Sequence, residues 1–419
     1  MQKNISSPSF EKENHKLFLR KEFFGSILYN TFDKQYYFFD EETTQALQEI
    51  FAGNCYSEEL QEFRKDLADL HLYTNDLTII DRPQKDTFSS PLRVFIDITY
   101  LCNLRCKHCF TDSKNRKNDE LTTQEIFSLL DQMHHVGSFL LSIAGGEPLL
   151  RKDLFEIIAY AKKQFIDVSM TTNALRITED MAKKLHDLQL RTITVSIDGI
   201  EKNHDSIRGS GKFHQAIENI KLLRKHCKTA KISIKNTVNS QNLSDYQEII
   251  KLSEDLSLDS VKFNPIRLFG RTENNRHLLI TQRQYVRFLR DVQKIKTSIP
   301  VSIPKTPLDN RPYDFIPIGF GCTGGKETCN ISPTGKFSAC AFLGNDFVVG
   351  NIKTSPFINL WKKTNASTNY CGNETCKSCP KYMSCRGGCR SRALFQRGDI
   401  NAVDPLCPLE KSITQEHTA

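Results

Sequence analysis

Fourteen cysteines are spread along 419 residues in a way that limits what this chain can become. Nine fall between Cys322 and Cys407 and three between Cys102 and Cys109, leaving Cys55 and Cys227 isolated in apolar helical contexts, where they read as core thiols. In a short secreted chain such a count would mean disulfides. Here the chain is long, and Met1 to Lys16 is polar with none of the apolar core of a signal peptide. The apolar run Phe139 to Ala144 falls far short of the roughly 20 residues that cross a bilayer. The expectation is a cytoplasmic protein with no membrane partner, whose thiolates ligate metal in two separate centres.

The rest of the composition is that of a folded globular chain, with 39% hydrophobic and 25% charged residues. Charge divides it. Residues 1 to 90 carry 10 Lys and Arg against 16 Asp and Glu, a balance of −6, although the whole chain stands at +8. The basic remainder alternates its charges in sign, which describes a solvated surface better than a nucleic-acid face, and no nucleic-acid partner is expected.

Periodicity gives the first segment short strands at Lys16 to Lys21, Ser26 to Asn30 and Gln35 to Phe39, helices at Glu41 to Phe51 and Glu58 to Leu70, and a strand at Leu77 to Ile80. The polar run Asp81 to Pro91 reads as a linker. From Leu92 strand and helix alternate six times, beginning at Arg93 to Thr99 and reaching Ser260 to Asn264, with a further helix at Gln282 to Lys296. The fold class is α/β, a partial (β/α)6 barrel whose site should lie at the C-terminal ends of its strands. Beyond the Pro-rich stretch Pro300 to Pro317 the periodicity fades, as in a core held by metal rather than by packing.

Cys102, Cys106 and Cys109 follow the first barrel strand with spacing C-x3-C-x2-C. Three thiolates leave one corner of a cubane cluster open to a small molecule. A structural zinc loop would need a fourth ligand, and only His108, inside the loop, is near. With these cysteines the chain resembles the radical S-adenosylmethionine (radical SAM) enzymes. Gly145-Gly146-Glu147-Pro148 follows the second strand, as does that family's motif for the cosubstrate amine. Asn173 ends the third strand in Thr171-Thr172-Asn173, where the family usually continues with Gly and this chain has Ala174. Ser196 and Asp198 match a Ser-x-Asp-Gly motif, and Arg208-Gly209 the Arg-Gly pair that follows it. The resemblance implies that Ser196 and Asp198 lie near the ribose and that Arg208 forks onto the methionine carboxylate. It also implies an open iron chelated by S-adenosylmethionine, one-electron cleavage to a 5′-deoxyadenosyl radical, and a reducing donor such as flavodoxin or ferredoxin.

The later cysteines, Cys322, Cys340, Cys376, Cys379, Cys385, Cys389 and Cys407, resemble the seven-cysteine SPASM domain of radical enzymes that act on peptides. Segments such as Asp404-Pro405-Leu406-Cys407 are similar to the pyrroloquinoline quinone, mycofactocin and heme d1 maturation branch. The resemblance implies two auxiliary 4Fe-4S clusters beside the catalytic one, three in all, with Cys322, Cys340 and Cys389 on one and Cys376, Cys379, Cys385 and Cys407 on the other. Cys329 is extra and a candidate to complete the first. Cys371 is unassigned.

Residues 15 to 82 resemble a small winged-helix element that ribosomal-peptide maturases use to hold a leader, since an open strand edge beside a helix accepts a peptide by strand addition. The expected domains are 1–88 for leader recognition, 91–300 for the barrel and 315–410 for the auxiliary clusters. The expected activity is radical modification of a ribosomally made precursor peptide, with crosslinking and oxidative decarboxylation both open. A maturase of a non-peptide cofactor such as a heme d1 precursor is the alternative enzyme. An iron–sulfur electron carrier or redox-sensing DNA binder would not need Gly145 to Pro148 or Arg208.

Overall fold

Apolar runs bounded by turn residues become buried strands in the computed structural model, which describes residues 15–304, 321–368 and 372–409. The chain divides into two compact units, residues 1–90 with 131–139, and residues 91–130 with 140–419.

In the first unit β1 (Leu17–Glu22), β2 (Gly25–Asn30) and β3 (Gln35–Asp40) form an antiparallel meander. The helices α1 (Glu41–Phe51) and α2 (Glu58–Asp69) follow, started by the side chains of Asp40 and Ser57, which accept from the amides of Thr43 and Leu60. β4 (Leu77–Ile80) lies parallel to β1, giving the order β3-β2-β1-β4 and leaving β3 at one edge. Leu17, Leu19 and Leu28 pack against Leu47, Ile50, Leu67 and Leu72 beneath the helices. On the opposite face Tyr29 stacks on Phe139 at 4.6 Å between ring centroids, and Phe18 packs on it at 4.5 Å with its ring tilted by 40°.

The expected linker is exposed only in its first part, and even there Asp81 pairs with Lys21 at 2.8 Å. Phe88, Ser89 and Ser90 are buried, and the Ser89 amide and hydroxyl both donate to Glu22, at 2.8 and 2.9 Å. Glu22 in turn pairs with Arg20 at 2.6 Å, and Arg20 donates to the Gly137 carbonyl at 2.8 Å. A buried ion pair needs further hydrogen bonds, and the end of the polar run supplies those of Glu22 and, in the Ser90 hydroxyl, an acceptor for Arg20 Nη1.

The second unit contains the barrel. Its elements run β5 (Arg93–Asp97), α3 (Thr123–His135), β6 (Leu140–Ala144), α4 (Leu154–Lys163), β7 (Asp167–Thr172), α5 (Glu179–Asp187) and β8 (Thr192–Ser196). They continue with α6 (Glu201–Arg208), α7 (Lys212–His226), β9 (Lys231–Val238), α8 (Tyr246–Asp255), β10 (Ser260–Pro265), α9 (Gln282–Gln293) and β11 (Val301–Ser302). The last residues of α3 count with the first unit. Strands β5 to β11 are all parallel and lie in sequence order. Helix α6 was not expected, because only His204 and Ile207 of its eight residues are buried and it shows almost no apolar stripe.

The cysteine-rich region is not held by metal alone, contrary to the sequence expectation. β12 (Thr328–Ile331) joins the sheet parallel to β5, and β13 (Lys336–Ser338) and β14 (Val348–Asn351) extend it to ten strands. Phe337, the fully buried Trp361, and Phe357 and Leu360 from α10 (Phe357–Ser367) make a packed apolar core. Three short helices end the described chain, α11 (Glu374–Lys377), α12 (Tyr382–Cys385) and α13 (Arg390–Arg397). Cys371 lies outside the described residues. No helix among the described residues is long and apolar enough to cross a membrane.

Candidate active site

The loop after β5 carries Cys102, Cys106 and Cys109, and other segments fix it through its backbone. The Cys102 amide donates to the Lys114 carbonyl at 3.1 Å, and the Lys107 amide to the Ile207 carbonyl at 3.0 Å. Arg271 reaches the carbonyls of Cys106 (3.1 Å) and Ser113 (2.6 Å), while its own amide donates to the Cys109 carbonyl at 2.9 Å. Asn275 donates to the Lys107 carbonyl at 3.1 Å, and the buried Glu120 accepts from the Thr99 hydroxyl and the Tyr100 amide. Sequence reasoning missed these three residues. They stand in short turns without periodicity, and Arg271 and Asn275 act on a loop more than a hundred and fifty positions away.

The Gly145-Gly146 pair lets the end of β6 lie directly on that loop. A Cβ at Gly146 would stand 2.2 Å from the Leu101 carbonyl oxygen, and Gly145 holds φ +123. The amides of Gly146 and Glu147 donate to the carbonyls of Thr99 and Leu101, at 2.7 and 2.8 Å. The Glu147 carboxylate is fully buried and already occupied, accepting from the Thr172 hydroxyl and the Asn173 amide at 2.7 Å and from the Leu149 amide at 3.1 Å. Burial raises its pKa, and those hydrogen bonds oppose the rise. Pro148 opens a short 3-10 turn and is buried. Asn173 donates to Asn103 at 2.8 Å, tying the end of β7 to the cysteine loop.

Asp198 is likewise enclosed. Its Oδ2 accepts from His108 Nε2 at 2.5 Å and from Arg208 Nε at 2.6 Å, and its Oδ1 accepts from the Thr237 amide at 2.8 Å. Burial would raise the carboxyl, but Arg208 and then His108 outweigh it and hold Asp198 well below the usual carboxylate range. Arg208 Nη1 lies 3.7 Å from Cys106 Sγ. His108 thus gives its Nε2 to Asp198. The Asp198 amide donates to His204 Nδ1 at 3.2 Å, and burial, with Arg208 next, lowers His204 to about 4.

One cavity of about 980 Å³ joins these parts. Cys102, Cys106, Cys109, Gly145, Gly146, Asn173, Ser196 and Arg208 line it, whereas Glu147, Pro148 and Asp198 do not. The same cavity reaches Cys322, Cys340, Cys376, Cys379, Cys385, Cys389 and Cys407. The thiols fall into two sets by their mutual electrostatics. Cys340 feels Cys322 and Cys389, whereas Cys385 feels Cys407 and Cys376, and Cys407 feels Cys376 and Cys379. Cys329, fully buried on β12, also borders this cavity, and burial raises its pKa well above the usual thiol value.

Asp404 organises the second region. It binds Arg392 through both carboxylate oxygens, at 2.8 and 2.6 Å, and accepts the amides of Cys389 and Leu406. Burial opposes the Cys389 thiolate, yet Arg392 and Arg267 together lower its pKa. Burial pushes Cys102 up to about 11 and Cys340 and Cys385 to about 12. Buried thiols of this kind lose their protons when a cation takes its place. Among the described residues no three metal-ligating side chains close around one point as the ligands of a single ion do. A cluster, whose own atoms hold its ligands apart, fits such donor sets better than zinc.

Two sequence signatures match the chain, that of the Radical SAM superfamily at residues 96–253 and that of an iron–sulfur cluster-binding domain, SPASM, at residues 322–389. The chain belongs to the radical SAM superfamily, and it is an enzyme of the class that uses S-adenosylmethionine with iron–sulfur clusters. An AdoMet-dependent heme synthase of Oleidesulfovibrio alaskensis is 30% identical over 340 residues, 74% of this chain and 85% of the relative. The PqqA peptide cyclase of Bradyrhizobium diazoefficiens is 29% identical over 362 residues, 80% of this chain and 91% of the relative. In fold the chain is similar to Streptococcus suis SuiB bound to its precursor peptide SuiA, with a TM-score of 0.73 at 18% identity, covering 94% of this chain and all of that one.

Proposed function

We propose that this protein is a radical SAM maturase of a ribosomally made precursor peptide. Residues 1–88 would hold the leader, 91–300 the catalytic barrel and 315–410 two auxiliary 4Fe-4S clusters, making three clusters in all. The observation that carries this reading is the single cavity. At about 980 Å³ it lies at the top of the roughly 300–1,000 Å³ usual for small-molecule sites, and it extends from the three-cysteine loop past both later thiol sets. The clusters and the cosubstrate must share that space, so it is the continuity of the cavity between the centres that would give a peptide its path to them.

Bound S-adenosylmethionine and a reduced cluster supply the one-electron chemistry that removes hydrogen from an unactivated carbon. The protein's own residues bind, orient and shield. Cys102, Cys106 and Cys109 are the ligands at the end of β5. Gly145 and Gly146 bring backbone to the cosubstrate, and Asn173 and Ser196 present polar groups at the neighbouring strand ends. Arg208 has its Nε taken by Asp198, and its outer nitrogens remain for a carboxylate. Asp198 and Glu147 are positioning residues in this scheme, since both are fully buried outside the cavity lining and hold its parts together, and His108 is fixed by Asp198. Strand β3 is an edge of the first unit's sheet among the described residues, and the leader would add there as a further strand.

Peptide chemistry is favoured over the heme-precursor alternative because a leader-holding unit would be superfluous for a tetrapyrrole. The deciding experiment is anaerobic incubation of the reconstituted enzyme in a cytoplasm-like buffer with flavodoxin or ferredoxin as donor, S-adenosylmethionine and a short peptide encoded beside its gene. Mass spectrometry should show 5′-deoxyadenosine and a changed peptide mass. An unchanged peptide beside a modified tetrapyrrole in a parallel reaction would sink the proposal.

A further inference from the structure

The barrel interior differs from the packed Val, Ile and Leu layers usual inside such barrels. Its inward positions on β6 to β8 are mostly Ser and Thr, and on β9 and β10 two lysines face the same space. Lys235 and Lys262 are direct cross-strand partners in the parallel ladder, and both line the cavity. Like charges placed side by side on a sheet destabilise it, the more so in a half-buried setting. Among the described residues neither ammonium group has a hydrogen-bond or ion-pair partner. Burial lowers the pKa of both, Lys235 to about 8 with Arg267 adding to the effect, and Lys262 with Arg93 adding.

The anions already expected in the cavity account for the pair only in part: Asp198, itself committed to Arg208 and His108, acts on Lys235, and no acid acts on Lys262. The acids that line it are Asp97 and Asp404. Asp404 is committed to Arg392, and Asp97, which Lys235 attracts, is still raised by burial to about 7, so near neutrality it is at most a partial counter-charge for Lys235. The thiol sets have their own cations, since Arg267 acts on Cys340 and Cys389 and Arg208 acts on Cys106. Lys262 feels no cysteine at all. The cosubstrate carboxylate has Arg208 to meet it. Arg267 adds a sign that an acceptor is missing nearby, for its Nε is buried without a hydrogen-bond partner while its guanidinium lies 4.4 Å over the Phe342 ring.

We propose that Lys235 and Lys262 form a subsite that binds a carboxylate of the substrate, fixing the reacting segment of the peptide in the barrel. The proposal rests on the peptide-maturase reading for the identity of the substrate. In a peptide the carboxylate is either an acidic side chain or the chain terminus, and one charge between two half-buried ammonium groups would relieve their repulsion and replace their lost hydration.

The test uses the full-length, cluster-reconstituted enzyme, anaerobic and saturated with S-adenosylmethionine without reductant, so that nothing turns over. Binding of a short synthetic peptide is measured by calorimetry in three forms. One has a central Glu and an amidated end, one a central Gln and a free end, and one a central Gln and an amidated end. One of the charged forms should bind at least about tenfold tighter than the neutral form, and which one identifies the source of the carboxylate. The Lys235→Met, Lys262→Met double variant should bind all three alike. Equal binding by the wild type, or a preference that survives in the double variant, overturns the subsite. So does a double variant that weakens S-adenosylmethionine binding while leaving the peptide preference intact, because the lysines then serve the cosubstrate. If the double variant does not fold, Lys262→Met alone must cut the preference, and added salt must erode it in the wild type. N-acetylglutamate against N-acetylglutamine separates the two readings. Lysine-dependent binding of the former with no peptide binding keeps the subsite and removes the peptide substrate, whereas peptides bound and modified regardless of charge do the reverse.

Discussion

Asp198 has no exposed surface and holds Arg208 and the His108 ring at once, so the site around Cys106 is built on a charge that cannot be given up cheaply. Arg208 is placed by that carboxylate, and its fork geometry is what a flexible ammonium lacks. Arg208→Lys should therefore slow formation of 5′-deoxyadenosine about tenfold or more while iron content stays that of the wild type. Wild-type cleavage in that variant would put Arg208 outside the site. His204, behind Asp198, gives a pH signature. It is neutral in the fold down to about 4, whereas in the unfolded chain it takes a proton near 6.5. Between those values the unfolded state binds the extra proton. The His204 contribution is thus complete above the upper value and is lost as pH falls through the window, by up to roughly 3 kcal/mol at its lower end. Thermal unfolding between about pH 7.5 and about pH 5 should show a smaller loss for His204→Gln than for the wild type. Equal losses would mean that His204 does not titrate this way.

Elements meet in the site through short loops, and the loop after β7 departs from its family. Ala174 sits at φ +63, the left-handed region where a side chain costs roughly 1–2 kcal/mol, at the position where the family has glycine. It is held there by its amide, which donates to the Thr172 hydroxyl at 2.9 Å, and by Asn219, which donates to its carbonyl at 2.8 Å. Relief of strain offsets the lost methyl group, so Ala174→Gly should leave the unfolding free energy within about 0.5 kcal/mol of wild type. Ala161→Gly, inside α4, should cost about 1 kcal/mol or more. Urea unfolding compares them, and equal losses would remove the strain account. The sequence departure was visible at this loop, but the strain was not, because φ follows from neighbours such as Asn219 that no local motif reveals.

At the scale of the whole chain, the alternation of strands and helices was legible because buried parallel strands read as apolar runs between amphipathic helices. The cysteine spacing announced the clusters for a similar reason, since ligands must recur where a backbone can fold around one group. What escaped was whatever depended on distant partners, such as Arg271 on the cysteine loop or the packed core around Trp361. The linker was misread in the same way, for Ser89 and Ser90 are polar in sequence and buried by Glu22 and Arg20. That error alters a natural experiment. Deleting residues 1–88 strips Phe18 and Tyr29 from Phe139, so the truncated enzyme should melt lower than the full chain. Assayed in the cold, it should still cleave S-adenosylmethionine, because every proposed cosubstrate contact begins at Cys102 or later. Modification of a leader-bearing peptide at low concentration should fall, since the tether that raises its local concentration is gone. Modification at the full-chain rate would make the first unit a cover and nothing more.

The pairing of β5 with β12 also sets an order of events during synthesis. Each of β6 to β11 finds its neighbour as soon as the next helix is made, but Val94 waits for Cys329. At translation rates of about 5–20 residues per second, that wait is on the order of ten to fifty seconds, during which one side of β5 presents open backbone to other nascent chains. A chain ending before Thr328 never closes that side. Such a fragment should pellet on expression while the full protein stays in solution, and a soluble, monodisperse fragment would show that the open strand is protected by other means.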